Sequence, residues 1–114
     1  MRIPVGIENH TKGTTFDGLE IFAQEENELN VLEPIDLTDV EAIAQFKISI
    51  DGPVIFEFNT TDETILIPEP LSGKLYFASR IIDYPAKTYL FDVKLKFPDG
   101  RIKVIVPIHS WTII

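Results

Sequence analysis

The fold of this chain is decided by residues 88–109, which read TYLFDVKLKFPDGRIKVIVPIH. Every second side chain in the first half is apolar: Tyr89, Phe91, Val93, Leu95 and Phe97. This spacing is typical of a strand with one buried face. Pro98-Asp99-Gly100-Arg101 then supplies the proline and glycine of a tight turn. After the turn the same spacing resumes at Ile102, Val104, Val106 and Ile108.

This stretch therefore predicts a hairpin of two long strands, Thr88–Phe97 and Arg101–His109. The alternation predicts that five of its side chains are buried: Phe91, Val93, Leu95, Val104 and Val106. Pro107 has no amide proton to donate to a neighbouring strand. We therefore expect its amide position to face away from a partner strand or to mark a bulge.

A second alternating run covers Val40–Ile50. Its inward set is predicted to be Val40, Ala42, Ala44, Phe46, Ile48 and Ile50. A helix over Leu37–Phe46 is an alternative, because Asp36 or Thr38 could cap it. We prefer a strand, since strict alternation continues to Ile50, although a short helical turn near Asp39 fits the sequence as well.

The rest of the chain contains shorter apolar segments separated by turn residues. The further strand candidates are Thr14–Ala23, Val54–Phe58, Thr64–Ile67 and Lys74–Ile82, and Glu25–Asn30 is predicted to be an acidic loop. About seven or eight short strands spaced by turns predict an all-β fold. We expect one antiparallel β-sandwich domain spanning residues 1–114.

Composition and charge narrow the range of functions. The chain has 114 residues, no cysteine and a net charge of −8, so disulfide frameworks and thiolate chemistry are excluded and nucleic-acid binding is disfavoured. Residues 1–57 carry −9 and residues 58–114 carry +1. No apolar run is long enough to span a membrane, and the segment from Met1 to Gly6 is too weakly apolar for a signal peptide.

The sequence contains no recognisable catalytic, cofactor or metal site. His10 and His109 are the two histidines, and neither stands in a recognisable nucleophile–base motif. The acids within Asp36–Glu41 lack the mid-loop glycine of an EF-hand, so we interpret them as a solvated edge, with a calcium-binding loop as the alternative. We therefore expect no enzymatic activity.

Two groups of residues are candidates for a partner interface. Lysines and an arginine cluster in the final hairpin, and we expect Lys94, Lys96, Arg101 and Lys103 to form a basic patch. Trp111 and Ile113 near the C-terminus either complete the core or meet a partner as apolar anchors. With a basic patch and an acidic surface on one molecule, we expect head-to-tail self-association or docking on an acidic partner.

Tyr89 also fits a fold-specific role. In immunoglobulin-type sandwiches a tyrosine near the start of the penultimate strand bonds back to the preceding corner. Tyr89 follows the corner Asp83–Lys87 and precedes Phe91 by two residues. We therefore predict this bond here.

The order of these elements resembles a known family. Lys12-Gly13-Thr14-Thr15-Phe16 opens a first strand, Pro34–Thr38 leads into the alternating run, and Tyr89–Leu95 leads through Asp99-Gly100 to a last strand ending near Trp111. The pattern covers residues 12–112 and resembles the immunoglobulin-like β-sandwich domains of tailed-phage virion proteins, especially the N-terminal domain of upper baseplate proteins. In the baseplate proteins this domain anchors a longer chain that carries receptor-binding proteins, whereas we expect this chain to consist of the domain alone and not to form an extended arm.

The resemblance implies a non-enzymatic structural role in the virion. We expect a small adaptor or decoration of a tail, baseplate or head, assembled in the host cytoplasm, that binds other virion proteins and forms a homo-oligomer or joins a symmetric assembly. The main alternative is a carbohydrate- or receptor-binding module, for which Tyr76, Tyr84 and Trp111 are the aromatic candidates. A small hydrolase is a third, weaker alternative.

Overall fold

The computed structural model describes residues 8–114, and the segment considered above for a signal peptide lies outside them. The described chain is all-β, with eleven strands and one short 3-10 turn at Pro70–Ser72. The strands are β1 (Thr14–Phe16), β2 (Leu19–Phe22), β3 (Gln24–Glu26), β4 (Leu32–Pro34), β5 (Glu41–Lys47), β6 (Phe56–Asn59), β7 (Ile65–Leu66), β8 (Lys74–Phe77), β9 (Arg80–Ile82), β10 (Thr88–Lys96) and β11 (Ile102–Thr112).

The strands form four antiparallel sheets. The largest has the order β11-β10-β5-β6, and a three-stranded sheet has the order β2-β8-β7. Two further sheets have two strands each, β1-β9 and β3-β4. His10 pairs in parallel with Ile113, which continues the edge of β11 toward the start of the described chain. The predicted all-β, antiparallel class is therefore confirmed.

Eleven short strands take the place of the seven or eight expected, because backbone breaks divide the predicted segments. The segment Thr14–Ala23 is divided at Gly18, which has a φ of +100° and lies so close to the backbone that a β-carbon would come within 2.8 Å of the Phe77 carbonyl oxygen. The segment Lys74–Ile82 is divided between β8 and β9. The acidic loop at Glu25–Asn30 is in part the β3–β4 hairpin.

Aromatic side chains join the two larger sheets into one core. Phe46 on β5 stacks between Phe56 and Phe91, with ring centroids 4.5 and 4.6 Å away. Phe58 on β6 stacks on Phe77 of β8 at 4.8 Å, and both rings are buried. This contact crosses from the four-stranded to the three-stranded sheet. Each sheet therefore has one buried face and one outer face.

The final hairpin is confirmed, but β11 is out of phase with the simple alternation. Phe91, Val93, Leu95 and Val106 are buried as predicted. Val104 is 46% exposed and Ile105 is fully buried instead. The pairing moves from Lys94↔Val104 to Val93↔Val106, so Ile105 is an extra residue in β11, and the register shifts again before Phe91↔His109, where Pro107 lies. These are β-bulges, and the proline lies at one of them as expected.

The second alternating run ends earlier than predicted. Strand β5 is confirmed, with Val40, Ala42, Ala44 and Phe46 buried, and no helix forms there. The strand ends at Lys47, and Ile48 and Ile50 are exposed in the turn that follows. Alternation alone does not show where a strand ends, because apolar residues at every second position, here Ile48 and Ile50, can continue into the turn.

The predicted tyrosine bond is present. The Tyr89 hydroxyl donates a hydrogen bond of 2.6 Å to the carbonyl oxygen of Pro85, and the ring is fully buried. Burial raises the pKa of Tyr89, because an ionised phenol would lose its hydration.

Candidate partner-binding surface

The two histidines have structural surroundings. The His10 ring packs on Phe16 and Trp111, and its Nε2 lies 3.0 Å from the Thr14 carbonyl oxygen. His109 is half-buried against the edge of Phe91. Within residues 8–114 no three histidine or acidic side chains lie close enough together to hold a metal ion.

The acidic segment before β5 is used for a local turn. Oδ1 of Asp36 accepts hydrogen bonds from the Thr38 hydroxyl at 2.6 Å and from the Thr38 amide at 2.9 Å. These bonds lower the pKa of Asp36, the hydroxyl contributing most. Asp39 adopts a positive φ of 57°, so this segment is a turn rather than the first turn of a helix.

The two apolar candidates near the C-terminus belong to the core. Trp111 is 3% exposed, and its Nε1 donates a hydrogen bond of 2.9 Å to the carbonyl oxygen of Glu8. Ile113 is 1% exposed. Their predicted role as partner anchors is therefore wrong for this fold, because neither presents a surface. The alternative interpretation, that the last strand completes the core, is what the structure shows.

The basic residues of the final hairpin do not form one uniform patch. Arg101 Nε lies 2.8 Å from Asp99, Lys103 Nζ lies 2.6 Å from Glu25, and Lys94 Nζ lies 3.9 Å from Asp92. Lys103 pairs with buried Leu95, so its side chain leaves the backbone on the inner side of the sheet. The side chains of Lys94 and Lys96 leave it on the outer side. The expectation of one basic surface is therefore corrected: acids accompany the cations.

The outer face of the four-stranded sheet is electrically balanced and partly apolar. Its cations are Lys47, Lys94 and Lys96, and its anions are Glu41, Glu57 and Asp92. Beside them β11 presents three large aliphatic side chains, Ile102 (67% exposed), Val104 (46%) and Ile108 (56%). Ile102 and Val104 lie opposite Lys96 and Lys94 on this face. The first change of register turns Val106 inward, and the second turns Ile108 outward again.

A pocket of about 170 Å³ opens on this outer face. The side chains that line it are the apolar Ile50, Leu90, Phe91 and Ile108 and the polar Gln45, Lys47, Asp92 and Lys94. The turn after β5 places Ile50 here rather than in the core. An apolar centre with a charged rim is the usual composition of a protein-binding surface.

This pocket was not predicted from the sequence, because Ile50 was expected to face the core and Ile108 continues the alternating series of Val104 and Val106, which were expected to be buried. The only sequence signal for the change of phase was Pro107, because a proline inside an alternating run marks a bulge.

The aromatic residues considered for carbohydrate binding are dispersed. Tyr84 stacks on Phe56 at 4.2 Å, and its hydroxyl accepts a hydrogen bond of 2.7 Å from Arg80. Tyr76 lies half-buried on the other outer face, that of the three-stranded sheet, one strand away from exposed Phe22. Trp111 is in the core, so no surface combines the three predicted aromatics.

The described residues contain no helix with the length and apolarity needed to cross a membrane. A scan of protein-family models, a search of curated proteins and a search of solved structures found no match to this chain.

Proposed function

We propose that this chain is a non-enzymatic structural protein of a tailed-phage particle, an adaptor or decoration that binds neighbouring virion proteins through the outer face of its four-stranded sheet. Its location would be the virion, after assembly in the host cytoplasm. The observation that carries the proposal is the row of exposed aliphatic side chains Ile102, Val104 and Ile108 on that face. Exposed apolar area of this kind is typical of a surface that a partner covers.

The proposal includes an immunoglobulin-like β-sandwich. Three features support it: two antiparallel sheets around one core, the order β11-β10-β5-β6, and the bond from Tyr89 to Pro85. In that family type, the corner tyrosine lies near the start of the penultimate strand, as Tyr89 does in β10. The additional short strands would then be subdivisions of longer ones and the added β3–β4 hairpin.

The absence of enzymatic activity is part of the proposal. It is supported by the structural surroundings of both histidines, since the His10 ring is fixed by Phe16, Trp111 and the Thr14 carbonyl. We expect His10→Ala and His109→Ala to change stability only slightly and to remove no hydrolytic activity. Hydrolysis of any ester, peptide or glycoside substrate that is lost in either variant would contradict this.

The binding proposal can be tested with a matched pair of surface variants. Val104→Glu places a charge in the aliphatic row, whereas Leu71→Glu places one at a leucine on the 3-10 turn that is exposed as well, 75% against 46% for Val104. Each variant is co-expressed with the proteins of the adjoining reading frames, and their association is measured by co-purification and light scattering. We expect association with one of these proteins for the wild type and Leu71→Glu, and its loss in Val104→Glu.

Two outcomes would refute the proposal. One is that the wild type binds none of the co-expressed structural proteins. The other is that Val104→Glu binds as well as the wild type does. Thermal unfolding confirms that both variants fold, which is expected because both positions are exposed.

A carbohydrate-binding module is the second candidate, and one observation favours it. On the outer face of the three-stranded sheet, exposed Phe22 lies diagonally across from Tyr76, with Lys74 and Glu20 as polar neighbours. Glycan-array binding that disappears in Phe22→Ala and Tyr76→Ala would support this function. Unchanged binding in both variants would exclude this face.

A further inference from the structure

The tip of the β3–β4 hairpin holds two apolar side chains in solvent. Leu29 is 80% exposed and Val31 is 54% exposed. The loop that carries them is fixed from within by Asn27, whose Oδ1 accepts hydrogen bonds from the amides of Leu29 at 2.8 Å and Val31 at 3.1 Å. The backbone N–H of Asn27 also donates a hydrogen bond of 2.9 Å to the carbonyl oxygen of Val31. We call Leu29 and Val31 the knob, an apolar projection whose loop is already ordered and so costs little entropy to bind.

The surroundings of the knob are acidic. Residues 24–34 contain four glutamates and no base. Glu25 is bonded to Lys103 and Glu33 accepts a hydrogen bond from Asn27 Nδ2 at 2.8 Å. Glu26 and Glu28 remain beside the knob, on exposed positions.

The pocket on the outer face has the complementary composition. Its apolar lining is Ile50, Leu90, Phe91 and Ile108. Its polar lining is Gln45, the cations Lys47 and Lys94, and one anion, Asp92, so the charged side chains of the pocket sum to +1. Its volume of about 170 Å³ suits a branched aliphatic side chain, because apolar cavities of roughly 150 Å³ hold a group as large as benzene.

A molecule cannot fill its own pocket with its own knob. The ion pair between Glu25 and Lys103 attaches the hairpin on the inner side of the sheet, since Lys103 is opposite buried Leu95. The pocket opens on the outer side, around Leu90 and Asp92. The edge strand β11 therefore separates the two within one copy.

We infer that the knob of one copy docks into the pocket of a second copy, with Glu26 and Glu28 facing Lys47 and Lys94. This inference rests on the proposed function, and it names a second copy of the chain as a partner of the same outer face. Each contact uses two different surfaces, so it is heterologous and repeats into a ring or an open array. The contact is small, so each one alone is weak, and an array gains strength by repetition.

The test uses variants that lose one surface each. Leu29→Ser removes the main knob side chain, Ile108→Glu blocks the pocket, and Leu71→Ser is the control at an exposed leucine elsewhere. Sedimentation velocity from about 10 μM to 1 mM measures self-association at low and at high salt. We expect concentration-dependent oligomers for the wild type and the control, and at least roughly tenfold weaker association for each of the other two variants.

Mixing the two defective variants gives the decisive result. Leu29→Ser keeps an intact pocket and Ile108→Glu keeps an intact knob, so a heterologous contact predicts that the mixture forms dimers that do not grow. A wild type that stays monomeric at 1 mM would overturn the inference, as would a mixture that forms no dimer.

The contact between copies and the adaptor role can be disproved separately. If the wild type is monomeric but still binds a co-expressed virion protein in a Val104-dependent manner, the outer face serves another partner and the knob-in-pocket contact is wrong. If the wild type self-associates as described but binds no virion protein, the adaptor role is wrong and the contact between copies stands.

Discussion

Replacing Ile105 and Val104 in turn by alanine tests the bulge that shapes the whole outer face. Ile105→Ala removes three carbons from a fully buried side chain. At about 0.8 kcal/mol per buried methylene the transfer cost is roughly 2.4 kcal/mol, and the cavity left behind raises the loss of unfolding free energy to about 3–5 kcal/mol. Val104→Ala removes two carbons from a half-exposed side chain, so we expect a loss below about 1 kcal/mol.

Urea titration provides the measurement, because the single tryptophan, Trp111, is buried and reports unfolding by fluorescence. With a slope of about 1–3 kcal/mol per molar, Ile105→Ala is expected to lower the midpoint by about 1 M or more, and Val104→Ala by much less. If Ile105→Ala does not fold, Ile105→Val gives a milder loss of about 0.5–1.5 kcal/mol. A larger loss for Val104→Ala than for Ile105→Ala would refute the bulge and restore the simple alternation. If only Ile105→Val folds, a loss above about 1.5 kcal/mol for Val104→Ala would refute it.

Three further predictions concern the core. Tyr89→Phe removes the hydrogen bond to Pro85 and should lower the free energy of unfolding by about 1 kcal/mol. Burial raises the pKa of Tyr89 above its value in the unfolded chain, so the stability of the wild type should fall as the pH rises past about 10. Urea titrations should show a smaller fall for the variant, which has no phenol to ionise at this position. Gly73→Ala should lower the melting temperature, since Gly73 has a φ of +67° and a β-carbon there would lie 2.5 Å from the Ala23 carbonyl oxygen, and an unchanged melting temperature would contradict this close approach. Phe91→Ala should cost about 3–5 kcal/mol by the same titration, and a cost below about 1 kcal/mol would show that the ring is not a core residue.

Local sequence pattern was sufficient for those parts of the fold that local physics controls. The turn at Asp99 and Gly100, which joins β10 to β11, was predictable because Gly100 has a φ of +92° and few residues other than glycine accept this conformation. The alternation in β10 predicts its buried face correctly, since β10 is a central strand whose pairing with β5 has no change of register. The corner bond of Tyr89 was also predictable, because it depends on a short sequence separation.

The candidate surface could not be predicted, because it depends on where the alternation breaks. Two changes of register in β11 exchange Val104 for Ile105 in the core and leave Ile108 outside. The end of β5 at Lys47 leaves Ile50 outside as well. Both events are set by the pairing of neighbouring strands and not by the composition of the segment itself.

Charge was misleading for a related reason. The final hairpin is rich in lysine, but the fold brings Glu25 to Lys103 from 78 residues away along the chain. Sequence segments report charge along the chain, whereas the field of a folded protein depends on which segments meet. The expected basic surface is therefore a surface of mixed sign.

The mixed sign of the outer face has a consequence for assembly. The chain carries −8, yet the three cations and three anions of that face cancel, so the excess negative charge lies on the other surfaces. Two copies that approach through other surfaces repel one another within about 8–10 Å, the screening length near physiological salt. An acidic hairpin tip that approaches the lysines at the pocket meets the least repulsion. Charge would thus select the orientation in which copies meet, while Leu29 and the apolar lining of the pocket supply the affinity.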